Sequence, residues 1–143
     1  MTPVPKARCL TETDVVRLLE ACAQSRTPHL ALLVRLALHT GARPHELLAC
    51  RWQDIDLDRG RLQLAHAPQG ARRTVPLTGA VLALVRQQAA QRRQDGAWVF
   101  PRGDNQRSGA LHRAWAEALQ RAGLPARPLH ALRHTAVSRG GIA

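Results

Sequence analysis

The stretch HTGARPHELLACRWQDID, residues 39–56, decides the fold. It lies between an apolar run at residues 30–38 and a region in which apolar and polar residues alternate, so the pattern changes here from helix to strand. Gly41 is placed to end the apolar helix, and Pro44 suits the first turn of a new, short helix. Arg43 should therefore project at the start of that short helix.

Helical spacing of apolar residues predicts helices on both sides of this stretch. TETD at residues 11–14 is typical of a helix start, and residues 12–24 should form an amphipathic helix. A second helix, starting at Thr27-Pro28 and ending near residue 40, is apolar on nearly all sides and should be the buried centre. Further helices with an apolar side are expected at about residues 79–94, from Ser108 to about Gln120, and from near His130.

Between the short helix and residue 77 the apolar residues alternate with a period of two, as in strands with one buried face. The strand residues are Ile55 and Leu57, Leu62 and Leu64, and Val75 and Leu77, with turns expected at 58–60 and 68–72. Trp98 to Pro101 is long enough only for an edge strand or an extended link. The prediction is an α+β fold, mainly α-helical, with a small three-stranded antiparallel sheet in a single domain over residues 1–143.

The charge balance favours a polyanionic partner. Lys and Arg total 21 against 10 Asp and Glu, a formal net charge of +11 that is spread along the chain. Such an excess is typical of proteins that bind nucleic acid. Lys6 is the one lysine among these cations, so a bias in nucleotide composition is an alternative source of the arginines.

The three cysteines and the short apolar runs limit the other classes. Three cysteines without a CxxC spacing suggest neither a disulfide framework nor a zinc knuckle, and they fit a reducing cytoplasm. The run from Leu30 to Leu38 is far shorter than a membrane span, and no signal-peptide pattern opens the chain. We expect a soluble, cytoplasmic protein that associates with the nucleoid when it is bound to DNA.

Two segments carry side chains suited to phosphate chemistry. We call residues 39–56 the first motif segment and residues 129–135, LHALRHT, the second motif segment. Arg43 could grip a phosphate with two parallel hydrogen bonds, although an arginine beside a helix start is more often a plain surface cation. His130 and Arg133 are three residues apart and so share one helix face, where a histidine and an arginine suit phosphoryl transfer.

Other interpretations of these side chains remain open. Glu46 could pair with Arg43 or orient it, or it could be an ordinary first-turn acid that the helix dipole favours. His130 and His134 have the i, i+4 spacing of zinc ligands, but no Glu accompanies them and Arg133 would repel the cation, so no metal site is expected. His134 could equally be a packed core histidine.

Together these segments resemble the tyrosine recombinases, the phage integrase family. The first family motif, TG-x-R-x-x-E-L followed by W-x-D-I-D, stands here at residues 40–47 and 52–56. The second, H-x-L-R-H-T, stands at residues 130–135. TVPL at residues 74–77 and CLTETDVVRLLEA at residues 9–21 match the last strand of the sheet and the opening of the catalytic domain. The resemblance therefore covers residues 9 to about 138.

The resemblance implies DNA cleavage without a metal or other cofactor. Two arginines hold the scissile phosphate, a histidine assists, a hairpin lysine protonates the leaving oxygen, and a tyrosine attacks the phosphorus. Arg43 and Arg133 would be the arginines and His130 the assisting histidine, with Glu46 and His134 in support. Stabilisation of the charge on the transferring phosphoryl group would supply most of the rate acceleration.

The sequence departs from the family pattern at the nucleophile and at the hairpin. It contains no tyrosine, and the family's later LGH segment is not present. Pro68 stands near the place of the hairpin lysine. Arg72 or Arg73 could contact phosphate from the hairpin, but an arginine is a poor proton donor, and a solvated strand edge is an equally good reading.

These features lead to one main functional hypothesis and two alternatives. The first is a C-terminally truncated catalytic domain, without an N-terminal core-binding domain, that binds double-stranded DNA but does not cleave it alone. The second is a non-catalytic DNA-binding module that occupies recombination sites or pairs with a full-length recombinase and modulates it. The third is another phosphodiester hydrolase that uses His130 and His134. Early chain termination should also leave apolar surface uncovered near the site, which favours self-association.

Overall fold

A computed structural model of the chain describes residues 10–27, 29–66, 71–91, 96–100 and 110–138. The helices in these ranges are α1 (Glu12–Ala23), α2 (Leu30–Thr40), α3 (Pro44–Leu48), α4 (Gly79–Gln91), α5 (Ala110–Ala122) and α6 (Leu132–Ser138). The strands are β1 (Ile55–Asp56), β2 (Arg61–His66) and β3 (Ala71–Pro76), and short 3-10 helices lie at Trp52–Asp54 and Leu129–Ala131. The predicted mainly helical fold with a small sheet is therefore confirmed.

The three strands form one antiparallel sheet in the order β1-β2-β3. Ile55 pairs with Leu62, and Leu62 pairs with Val75 on its other side. All three of these side chains are buried in the hydrophobic core, and β2 packs against α3. Because side chains alternate across a sheet, the opposite face carries exposed polar residues such as Gln63 and Thr74.

Helix α2 is the centre of the described fold, as its composition predicts. Its buried residues include all of its leucines, and it packs against α1, α3, α4, α5 and α6. Leu32, Leu33 and Val34 are fully buried at successive positions about 100° apart, so burial extends over more than half of the helix circumference. The first motif segment thus continues from the end of a buried helix, and α6 packs against that same helix.

Local sequence signals explain where several helices begin and end. Thr11 caps α1 in a reciprocal pair with Asp14: the Thr11 hydroxyl accepts from the Asp14 N–H, and the Asp14 carboxylate accepts from the Thr11 N–H. Gly41 ends α2 in the left-handed conformation, with φ of 72°, and Gly123 follows α5 with the same φ. Pro44 opens α3, as the sequence predicts.

The start of α2 differs from the prediction. The sequence places it at Thr27-Pro28, whereas the helix begins at Leu30 because His29 adopts a left-handed backbone with φ of 76°. A left-handed residue cannot continue a right-handed helix, so the chain turns at His29. Its ring lies edge-on to Phe100, with centroids 6.1 Å apart.

The boundaries of two strands also differ from the prediction. β3 begins at Ala71 and not near Val75, because the ladder with β2 continues through Arg72 and Arg73 to the pair of Ala71 and His66. The predicted turn at 68–72 is therefore wrong at 71 and 72, and its remaining positions lie outside the described residues. β1 ends at Asp56, and Leu57 belongs to the turn that follows.

Residues 96–100 form the extended link that the sequence allows. Trp98 makes an antiparallel bridge with Arg51, supported by hydrogen bonds from the Trp52 N–H to the Ala97 carbonyl (2.9 Å) and from the Val99 N–H to the Cys50 carbonyl (3.1 Å). The predicted helix start at Ser108 and the last residues of the predicted helix at 79–94 lie outside the described residues. Within the described ranges, no helix is long and apolar enough to cross a bilayer.

Candidate phosphate-binding site

The turn that carries Arg43 is built by backbone hydrogen bonds at the end of α2. Thr40 is fully buried, and its hydroxyl donates to the Leu36 carbonyl (2.7 Å) and accepts from the Ala42 N–H (3.0 Å). The Gly41 N–H donates to the Ala37 carbonyl at 2.9 Å. This arrangement turns the chain out of α2 along one path, so the position of the next residue is fixed.

Arg43 stands at the first position outside α3 and is exposed. Its N–H donates to a carboxylate oxygen of Glu46 at 2.9 Å, so Glu46 holds the backbone of Arg43. Leu47, one residue further on, is fully buried and anchors α3 to the core. The guanidinium of Arg43 therefore rises from a well-fixed backbone into solvent, as a phosphate ligand requires.

The second motif segment presents its charged residues on the outside of α6 and the 3-10 helix before it. His130, Arg133 and His134 are exposed. Leu129 and Leu132 are buried and hold the same stretch to the core. His134 is thus not the packed core histidine that its sequence context allows.

Contacts far apart in the chain hold the second motif segment. The Trp115 indole N–H donates to the Arg127 carbonyl at 2.7 Å, which ties the approach to the segment to α5. The Thr135 hydroxyl accepts from the Leu10 N–H at 3.2 Å. Neither contact is predictable from the sequence, because no local pattern links the residues involved.

The first motif segment meets helix α6 at Gly41. A Cβ built on Gly41 would lie 3.8 Å from the Ala136 Cβ, so the turn after α2 rests directly on α6. Arg43 is two residues after Gly41, and Arg133 is one helical turn before Ala136. The sequence-predicted arginines therefore leave the backbone from neighbouring elements, and both are exposed.

The hairpin arginines lie on β3, the edge strand of the sheet. Arg73 pairs with Leu64, and it is half-buried on the same face as Val75. The Nε of Arg73 is fully buried and has no hydrogen-bond partner among the described residues. A fully solvated strand edge is therefore wrong for Arg73, while the Arg72 side chain lies outside what the structure describes.

His39 is a further residue that the sequence analysis misses. One ring nitrogen, Nε2, lies 2.7 Å from the Pro76 carbonyl at the end of β3, so the bond joins α2 to the hairpin. The signal that could have found it is its place directly before the Thr40-Gly41 turn. Within the described residues, no three His, Cys, Asp or Glu side chains lie together in a way that could hold a metal ion.

Comparison with known proteins identifies the fold and the motifs together. The sequence pattern of the phage integrase family matches residues 8–139. The chain belongs to this family. It is 29% identical to the tyrosine recombinase XerA of Saccharolobus solfataricus over 138 residues, which cover 93% of the chain and 44% of that protein. It is 34% identical to the shufflon-specific DNA recombinase of Escherichia coli over 110 residues, or 77% of the chain and 27% of that protein.

Solved structures of integrases have the same fold as this family member. The catalytic domain of bacteriophage HP1 integrase superposes with a TM-score of 0.69 at 28% identity, over 92% of the chain and 70% of that structure. Brujita mycobacteriophage integrase gives a TM-score of 0.71 at 28% identity, over 96% of the chain and 45% of that structure. The chain spans about half or less of the length of the curated recombinases it matches. It therefore corresponds to an integrase catalytic domain.

Proposed function

We propose that this integrase-family chain binds double-stranded DNA through its backbone phosphates, with Arg43 and Arg133 on one phosphate. The observation that carries the proposal is the packing of the Gly41 turn against α6 at Ala136, which directly follows the second motif segment and lies 95 positions after Gly41. Exposed guanidinium groups on two adjoining, well-fixed elements suit the bidentate recognition of phosphate. The formal net charge of +11 attracts the same ligand from a distance.

In this proposal each site residue has one task. Arg43 and Arg133 neutralise the non-bridging oxygens of the scissile phosphate, and their charge is most effective when the phosphorus becomes five-coordinate. His130 lies one helical turn from Arg133 and supplies a hydrogen bond or a proton to the same group. Glu46 acts on Arg43 by holding its backbone N–H.

Strand cleavage by the route known in the family needs a tyrosine hydroxyl. The 143 residues contain no tyrosine, so the nucleophile would have to come from outside them. We therefore propose phosphate binding, and not covalent cleavage, as the activity of these residues alone.

The hairpin supplies a third contact in the same proposal. Arg73 is a cation with a buried, unsatisfied Nε–H among the described residues, and a buried unsatisfied donor is costly. An anion at the hairpin would supply the missing acceptor. We propose that Arg73 approaches a neighbouring phosphate, with Arg72 beside it on the same strand.

The partners proposed for this chain follow from proteins that share its fold. Those structures include a lambda integrase dimer bound to a COC' core site and a lambda integrase tetramer bound to a Holliday junction. We propose duplex DNA as the main partner, and a second copy or a full-length recombinase as the protein partner on it. A protein with these partners would lie on the nucleoid.

A DNA titration at several salt concentrations tests the proposed site. Each neutralised phosphate contributes about 0.9 to the slope of log affinity against log salt, so Arg43→Ala with Arg133→Ala, which frees one shared phosphate, should lower the slope by about 0.9. The matched control is Arg17→Ala with Arg59→Ala, which removes the same charge from exposed positions on α1 and on the β1–β2 turn. An equal loss in both double variants would show general attraction and reject the site.

A non-catalytic module is the second candidate, and the zero tyrosine count favours it. Such a module would occupy a recombination site or pair with an active recombinase. Adding this chain to a recombination assay that contains an active family member should then change the yield. An unchanged yield at saturating chain concentration would reject the candidate.

A further inference from the structure

Two buried polar side chains stand out in the described fold. Thr40 and Thr135 are the polar residues with almost no exposure there, at 0% and 1%. One belongs to each motif segment, and each hydroxyl accepts a hydrogen bond from a backbone N–H. Buried hydroxyls persist where they satisfy a partner that would otherwise be unpaired. These two hydrogen bonds therefore hold the two motif segments in place.

The hydrogen bond between Leu10 and Thr135 connects the two ends of the described chain. Leu10, its donor, is buried and lies directly before Thr11, the residue that caps α1. The residue after Thr135 is Ala136, which contacts the Gly41 turn. The segment entering α1 and the turn after α2 therefore both pack against the same turn of α6.

This convergence fixes the rotation of α6 about its own axis. Thr135 and Ala136 point into the core, while Arg133, about 200° around the helix from Thr135, points to solvent. A helix held on its buried side by the Leu10–Thr135 hydrogen bond and by packing against α2 cannot roll without breaking that bond and disturbing that packing. The direction of Arg133 therefore depends on whether the Leu10 N–H stays bonded.

We propose that Thr135 is a positioning residue that couples the chain segment entering α1 to the phosphate-binding direction of Arg133. The inference rests on the proposed phosphate site and adds a control point to it. A change that displaces the residues before Leu10 acts on α6 through the Leu10–Thr135 hydrogen bond. DNA bound by Arg133 tightens that bond in return, because coupling between two sites is reciprocal.

Variants at Thr135 test the role of the hydroxyl. Thr135→Val keeps the shape and removes the acceptor, and Thr135→Ser restores the acceptor without the methyl group. DNA affinity, measured well below the melting temperature on variants with native circular dichroism, should fall about five-fold in Thr135→Val and recover in Thr135→Ser, a factor at the low end of coupling between sites. Equal affinity of wild type and Thr135→Val would overturn the inference and leave the phosphate site standing.

Amide exchange on the wild-type chain gives a second test that needs no Thr135 variant. A duplex oligonucleotide should slow hydrogen exchange of the Leu10 amide by about the same five-fold factor, by reciprocity. In Arg133→Ala the oligonucleotide should leave that amide unchanged, even at a concentration that restores occupancy. Unchanged Leu10 exchange in DNA-bound wild type would refute the coupling. Failure of wild type to bind DNA at all would instead refute the proposed function, and the inference with it.

Discussion

The turn that carries Arg43, residues 40–46, and the second motif segment are fixed by different kinds of contact. The Arg43 turn is held by hydrogen bonds between residues two or three positions apart: Thr40 with Ala42, and Glu46 with Arg43. The second motif segment is held by partners from far along the chain. Local bonds can form as soon as their own segment is ordered, whereas distant bonds form only when the whole domain is assembled.

The difference shows most clearly in the sequence separations. Trp115 holds the carbonyl of Arg127 across 12 positions, and Leu10 holds the hydroxyl of Thr135 across 125. The second motif segment should therefore loosen whenever global packing weakens, while the Arg43 turn keeps its shape. Arg43 is the stable half of the proposed site, and Arg133 is the half that the rest of the molecule controls.

The largest effect is expected from Leu132→Ala. Leu132 is 1% exposed at the start of α6, and removing a buried leucine side chain costs about 2 to 5 kcal/mol of folding free energy. Urea unfolding measures the loss. Val16→Ala is the control, because Val16 is 53% exposed on α1 and its loss should stay within about 0.5 kcal/mol. Similar values for the two variants would contradict the anchoring of α6 by Leu132.

The next largest effect is expected from Trp115→Phe, the variant that distinguishes most directly how the two segments are held. The phenyl ring keeps most of the buried surface but leaves the Arg127 carbonyl without its donor, at a cost of about 1 to 3 kcal/mol. Amide exchange should speed up at residues 128–132 more than at residues 42–48. Equal acceleration in both ranges would break the distinction between a locally fixed and a globally fixed segment.

Gly41→Ala should have a smaller effect on stability and a selective effect on DNA binding. A left-handed alanine costs about 1 kcal/mol, and Gly123→Ala is a matched control because both glycines have φ of 72°. Both variants should lose similar stability in thermal melts. Only Gly41 borders the proposed site, so only Gly41→Ala should weaken DNA binding. Weaker binding in both would point to general destabilisation.

The smallest effect at neutral pH concerns the thiol of Cys50, within the first motif segment. Burial raises the pKa of Cys50 from 9.0 to about 12, with added repulsion from Asp54 and Glu46, and burial likewise raises the pKa of Cys22 to about 12. In Cys9→Ser, a thiol reagent at pH 8 should label Cys50 and Cys22 only after denaturation. Fast native labelling of Cys50 alone would show that the first segment opens locally.

The same thiols set the sign of a pH effect. In the folded chain they remain protonated up to about pH 12, whereas in the unfolded chain they ionise from about pH 9. Unfolding therefore releases protons above pH 9, and stability should fall as pH rises through the window from 9 to 12, by up to about 1.4 kcal/mol per pH unit per thiol. Cys50→Ala should flatten this decline in urea titrations at pH 9.5 and 10.5.

Local chemistry made most of the fold predictable. Gly41, Pro44 and the Thr11 cap act on their immediate neighbours, so their effects are visible in the sequence. The left-handed backbone of His29 was not predictable, because a non-glycine residue adopts it under tertiary constraint. The early start of β3 was missed because backbone pairing extends the ladder over Arg73, whatever its polarity.

For the candidate site, the sequence supplies the residue types but not the way they are held. Arg43, His130 and Arg133 stand where the motifs predict, and all three are exposed. The bonds of Thr135 and of Trp115 were not predictable, since they depend on which helices become neighbours. A sequence pattern reports spacing along one element, and these bonds join different elements.

The hydrogen bond between Leu10 and Thr135 has a consequence for how the protein is made. During translation the acceptor is synthesised 125 positions after the donor. A nascent chain can complete α1, α2 and the sheet while this bond is still missing. The proposed orientation of the second arginine therefore cannot form before α6 has emerged from the ribosome, so an unfinished chain would lack one of the two proposed phosphate contacts.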